Sequence, residues 1–132
     1  MGSERVYHGS NGDRILSIIA SGELRPDPEG RVFFARHGWA GVLQHGGDRK
    51  RKAAFALALD VEIPPATLIE RKVTPGIPDT FIVHTPRPLK AKAVTLFVRN
   101  PGATQAELVN GADAITRYLL ARQGPLNAGE DD

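Results

Sequence analysis

The sequence predicts one α+β (α/β) domain, a mostly antiparallel β core with flanking helices and a C-terminal helix, and three observations carry that expectation. Residues 53–61 are apolar almost without interruption, with Asp60, Pro64 and Pro65 limiting the run on one side, which suits a buried strand of a two-layer structure. Short segments of β-forming residues at 32–35, 67–73, 81–84 and 91–98 are separated by proline-rich stretches. Helical spacing of apolar residues occurs early, at Ile15, Leu16, Ile18 and Ile19, and late, at Leu108, Ala112, Ile115 and Leu119.

In chain order, a first strand begins at Arg5 and ends in His8-Gly9-Ser10. Asn11 or Asp13 then caps a short helix that Ser21-Gly22 stops, after which Leu24 folds back onto the core. Pro26, Pro28 and Gly30 make a turn, because two prolines restrict the backbone and glycine permits positive φ. The next strand carries Phe33 and Phe34. Residues 37–45 read as a short amphipathic helix with Trp39, Val42 and Leu43, ending at Gly46-Gly47. The charged residues 48–52 read as a solvated turn, with Arg49, Lys50, Arg51 and Lys52 as the alternative phosphate-contacting patch for nucleic acid.

After the central strand, residues 74–79 read as a rigid proline loop. Thr104-Gln105-Ala106-Glu107 matches a capping box that opens the long terminal helix. That helix is expected to pack on the β core, or alternatively to meet a partner such as an antitoxin. Residues 4–123 form the expected domain and 124–132 a disordered tail.

Composition removes several classes of function. The chain of 132 residues contains no cysteine, which excludes disulfides, thiolate catalysis and cysteine zinc sites. His8, His37, His45 and His84 lack metal-ligand spacing, so no metal site is expected. No apolar run approaches a membrane span, and no basic-then-apolar leader is visible. A cytoplasmic location is the default, with secretion by a route lacking a visible signal peptide as the alternative. The formal net charge of +2 mildly favours anionic ligands without choosing among them. A glycine-rich dinucleotide fingerprint, a phosphate-binding loop and a serine nucleophile elbow are all missing.

Tyr7-His8-Gly9-Ser10 resembles the His-Gly-Ser/Thr motif of the ADP-ribosyltransferase fold family, in its poly(ADP-ribose) polymerase-like branch. The following helix through Gly22-Glu23-Leu24 is similar to that branch's helix and Gly-Leu turn, and residues 30–35 to its Gly-Ile-Tyr-Phe-Ala strand. Residues 80–84 and 90–94 are similar to its two late strands. Small rifamycin-modifying transferases share the short length, the same start and a Pro-Gly-x-Pro stretch like Pro75-Gly76-Ile77-Pro78. The resemblance covers residues 6–98.

The resemblance implies a split, mostly antiparallel core that binds NAD and transfers ADP-ribose with release of nicotinamide. The acceptor would be a protein, a nucleic acid or a small molecule, in a bacterial toxin-like or drug-modifying enzyme. His8 would hydrogen-bond a ribose hydroxyl, Gly9 would fix the nicotinamide amide through its backbone, and Ser10 would position the neighbouring ribose or amide. Phe33 stands where the family usually has a stacking tyrosine, and Phe34 follows it in the same strand.

The departure lies at Thr80, where the family usually has glutamate. A carboxylate about 4 Å from a developing cation is worth roughly 4 kcal/mol at an effective dielectric near 20, which a neutral hydroxyl does not match. Asp79 and then Glu70 are the candidate substitutes. Two alternatives follow: a non-catalytic NAD or ADP-ribose binding module, and an NAD-dependent RNA 2′-phosphotransferase, whose arginine constellation the sequence does not display.

Overall fold

Strand β5 (Ala53–Val61) is the axis of the molecule, and its alternation explains the two layers. Phe55, Leu57, Leu59 and Val61 join a core completed by Ile15 and Ile18 of helix α1 (Gly12–Ser21) and Ile115 and Leu119 of helix α2 (Ala112–Ala121). Ala54, Ala56 and Ala58 belong to a second cluster with Val42, Leu43 and Phe97. Burial on both faces is why residues 53–59 are apolar throughout. Each large side chain so buried contributes about 1.5–3 kcal/mol. The computed structural model describes residues 2–75 and 77–122, and only the backbone of Gly41, Gln44, Val73, Thr74, Ile77, Pro78 and Asp79.

The described strands are antiparallel throughout, so the α+β class is as the sequence predicts. Around β5, the further strands are β1 (Glu4–Gly9), β2 (Glu23–Leu24), β3 (Arg31–Ala35), β4 (Gly47–Asp48), β6 (Leu68–Thr74), β7 (Ile77–His84), β8 (Leu89–Arg99) and β9 (Glu107–Asn110). Their order is β2-β8-β5-β1-β3-β7-β6, with β4 paired to β5 and β9 to β8. β1 and β5 pair over six residues from Glu4↔Val61 to Gly9↔Ala56. By contrast, β1 meets β3 through the pair Tyr7↔Ala35. Beyond that pair the two strands part, and the candidate site lies where they do.

Helix α1 begins as the sequence predicts, with Asn11 Oδ1 accepting the Arg14 amide at 2.8 Å, and ends at Gly22 in the left-handed region. Three other expectations are corrected. The helix expected over 37–45 is a 3₁₀ turn, Gly41–His45, because closely spaced glycines, with Gly38 at φ 80°, leave room for little more than one turn. The proline loop expected over 74–79 is a tight reversal in which Thr74 pairs with Ile77, so Pro78 and Asp79 belong to β7.

The long terminal helix starts at Ala112. Residues 107–110 form β9 instead, pairing with residues 95–98 of β8. Glu107, expected to close a capping box, accepts the Tyr118 hydroxyl at 2.8 Å, and Leu108 is exposed. Helix α2 packs its Ile115 and Leu119 into the core. The expected tail at 124–132 lies outside the described residues. Among the described residues, no helix is long and apolar enough to cross a membrane.

Candidate functional site

Two glycines bring the 3₁₀ turn against the end of β1 and against β5. A β-carbon on Gly9 would lie 1.9 Å from the Val42 carbonyl oxygen, and one on Gly46 would lie 1.7 Å from that of Phe55. Only residues without side chains allow this approach. Gly46 also donates to Leu43 O at 3.0 Å and accepts from Phe55 N at 2.9 Å, which fixes the turn. As a result His45 stands beside His8.

His8 occupies the gap where β1 leaves β3. Its Nδ1 lies 2.9 Å from Phe33 O, and because a carbonyl only accepts, Nδ1 carries the proton. In the neutral ring Nε2 therefore presents a lone pair. Burial pushes the His8 pKa below the ordinary histidine value, and Arg14 and His45 act in the same direction against the Phe33 hydrogen bond. Part of the residue nevertheless remains accessible. The ring meets Phe34 edge-on at 5.9 Å, and Phe34 rests on Phe81 at 5.5 Å. Phe33 points the other way, 37% exposed, with the Arg31 guanidinium 5.3 Å and the Lys72 ammonium 5.7 Å from its ring centre.

A cleft of about 370 Å³ opens here, lined by His8, Gly9, Phe33, Phe34, Val42, His45, Lys72 and Thr80. A second, of about 290 Å³, adjoins it and is lined by Ser10, Asn11, Arg14, Arg25, Asp27 and Arg31 among others. His8, Gly9, Phe33 and His45 line both. The first cleft is aromatic and aliphatic, whereas the second is cationic. Arg31 is ion-paired with Asp27 and Glu29, each at 3.2 Å. Arg14 and Arg25 have no acidic partner among the described residues. The Ser10 hydroxyl is buried without a hydrogen-bond partner. Three arginines, from helix α1, the segment after β2 and the start of β3, thus converge, a grouping the sequence does not reveal.

The remaining sequence candidates divide. Thr80 lines the first cleft, with its hydroxyl donating to Lys72 O at 2.5 Å. The side chain of Asp79 lies outside the described residues. Glu70 lines neither cleft. It lies 2.9 Å from His84 Nε2, and the register Phe33↔Ile82 and Ile82↔Glu70 places it two strands from Phe33. His84 lines neither cleft as well. Among the described residues no carboxylate lines the aromatic cleft, and no acid, histidine or cysteine cluster suits a metal.

The charged residues 49–52 form the expected turn, with Arg49, Lys50 and Lys52 exposed, but Asp48 and Arg51 are buried. Arg51 is 3% exposed, donating to Asp48 Oδ2 and Asp13 Oδ1, each at 2.9 Å, and to Leu119 O at 3.1 Å. Asp48 Oδ2 also accepts the Gly12 amide at 2.7 Å. The buried pair thereby ties the start of α1, next to Ser10, to the end of α2. Lys50 approaches Asp13 at 3.5 Å, so Arg49 and Lys52 alone of the expected patch are exposed without a described ion pair.

Sequence reading missed His45, Arg14, Arg25 and Lys72 as cleft residues. For His45 a signal was present in the following Gly46, which marks a close backbone approach. The arginines gave none, since only the parting of β1 from β3 gathers them. The arrangement suits a ligand with a flat apolar end and an anionic middle. Compared with known proteins, the chain matches no family model, no curated protein and no solved structure.

Proposed function

We propose that this chain is an NAD-dependent ADP-ribosyltransferase. The observation that carries the reading is the meeting of an aromatic and a cationic cleft at His8, Gly9 and Phe33, the residues on which the family resemblance rests. Nicotinamide stacks on the exposed Phe33 ring, and the neutral His8 ring accepts a hydrogen bond from a ribose hydroxyl through Nε2. The diphosphate lies toward Arg14, Arg25 and the unpartnered Ser10 hydroxyl, where charge-assisted hydrogen bonds hold it. Separation of β1 from β3 supports an ADP-ribosyltransferase-like split core. The bond from ribose C1′ to the nicotinamide nitrogen breaks, and the acceptor forms a new bond at C1′.

A second reading, a non-catalytic NAD or ADP-ribose binding module, is favoured by Thr80. Its hydroxyl is committed to Lys72 O, and it stands where the family has its acid.

Incubation with NAD labelled separately in nicotinamide and adenylate tests both. The transferase reading expects nicotinamide release with adenylate label passing to an acceptor or to water, and loss of both with His8→Ala in a folded chain. Saturable binding without release supports the module. Absence of binding removes both readings.

A further inference from the structure

The junction of the two clefts contains a second imidazole that the family resemblance does not account for. His8, Gly9 and Phe33 belong to the resembling motifs, whereas His45 reaches the junction from the 3₁₀ turn. Its side chain is exposed, and among the described residues it has no hydrogen-bond or ion-pair partner. Its place is set by the fold, because the turn packs tightly on Gly9 through Val42 O, and Gly46, next to His45, donates to Leu43 O at 3.0 Å and accepts the Phe55 amide at 2.9 Å, which holds the turn to β5.

We propose that His45 is the acceptor-side general base of the reaction, an inference that rests on the transferase reading above. A dinucleotide with its nicotinamide on Phe33 and its diphosphate among the arginines has the intervening ribose at the junction. The reacting C1′ carbon is therefore beside His45. As the C1′–N bond breaks, its electron pair goes to the pyridinium nitrogen and nicotinamide leaves neutral. A lone pair of the acceptor hydroxyl, or of water, forms the C1′–O bond, and the proton of that hydroxyl passes to the His45 imidazole, which returns it to solvent.

His8 is differently disposed. Its Nδ1–H is engaged by Phe33 O, and its remaining nitrogen serves the ribose. Dividing the work between two rings also fits an aromatic cleft in which no described carboxylate is present to take the proton.

The test compares the wild-type chain with His45→Gln, in which the amide keeps much of the size and polarity but does not cycle a proton. NAD affinity is measured by titration, and kcat for nicotinamide release is measured against pH with and without added imidazole. The charged groups facing the junction, His8, Arg14, Arg25, Asp27, Arg31 and Lys72, are common to both chains.

The expected result is NAD affinity within about twofold of wild type and kcat reduced on the order of 10²-fold or more. Added imidazole restores part of the rate across the pH range. Turnover within about threefold of wild type, or a loss tracking NAD affinity without imidazole rescue, overturns the assignment and leaves the transferase reading standing. A wild-type chain that binds NAD without releasing nicotinamide removes both. A spectrum and unfolding midpoint matching wild type establish that His45→Gln is folded, and His45→Asn provides the second variant if it is not.

Discussion

Gly9 and Val42 are in such close contact that a single added methyl group at residue 9 would stand 1.9 Å from the Val42 carbonyl oxygen. This contact joins the strand that carries His8 to the turn that carries His45. It also gives Gly9 a packing duty in addition to the ligand contact that the family resemblance implies.

Gly9→Ala is therefore expected to destabilise the fold by about 3 kcal/mol, since backbone lies on both sides of the clash and little can yield. Gly47→Ala is the matched control. A β-carbon there meets nothing within 4 Å, and its effect should stay within about 0.5 kcal/mol. Urea denaturation of the two variants measures the difference, and equal stabilities would contradict the close approach.

Removing Arg51 leaves the Asp48 carboxylate buried without its guanidinium. Arg51→Met should cost about 3–5 kcal/mol, whereas Arg49→Gln, at an exposed neighbour in the same basic run, should change stability by less than about 0.5 kcal/mol. The double variant Asp48→Asn/Arg51→Met should lose less than the sum of the single losses, because the partners share one network.

The same pair has an acid signature. Desolvation pushes the Asp48 pKa upward, but hydrogen bonds from the Arg51 and Gly12 amides and the Arg51 guanidinium outweigh it and hold the carboxyl below its ordinary value. Its stabilising contribution is thus complete above about pH 4, and it fades as pH falls through the lower folded pKa. Unfolding midpoints followed below pH 5 should fall less steeply in Asp48→Asn than in wild type. Parallel curves would assign the acid sensitivity elsewhere.

Phe33 makes the opposite prediction, for affinity without stability. Its ring is 37% exposed and lies between the Arg31 and Lys72 cations, so Phe33→Ala should leave the unfolding midpoint nearly unchanged. NAD binding should weaken about tenfold, the equivalent of roughly 1.4 kcal/mol of lost stacking. Phe33→Tyr should bind at least as well as wild type. Titration with NAD distinguishes these outcomes, and unchanged affinity in Phe33→Ala would remove the stacking role.

Legibility followed the range of the interactions. The central strand and the Asn11 cap were readable because local pattern and tertiary surroundings agree there. Residues 107–110 were misread because a Thr-x-x-Glu spacing is a local signal, while the open edge of β8 and the Tyr118 hydroxyl are not. The charged run at 48–52 misled for a related reason: one of its four cations finds a buried acid three residues earlier and the end of a helix 68 residues later. Within the site, the motif residues His8, Gly9, Phe33 and Thr80 do share a cleft. The arginines and His45 were hidden, because their meeting depends on how β1 diverges from β3 and how closely the turn approaches β1.

That divergence has a mechanical meaning. Among the described residues, one backbone pair, Tyr7 with Ala35, and two side-chain ties, His8 with Phe33 O and the Glu4–Arg36 ion pair at 2.6 Å, fasten the β3-β7-β6 portion to β1 along this seam. Few bonds must be broken for the seam to open locally, and a molecule lodged against both His8 and Phe33 adds a removable cross-tie. A ligand that contacts both sides of the seam would thus add its binding free energy to the seam's resistance to opening.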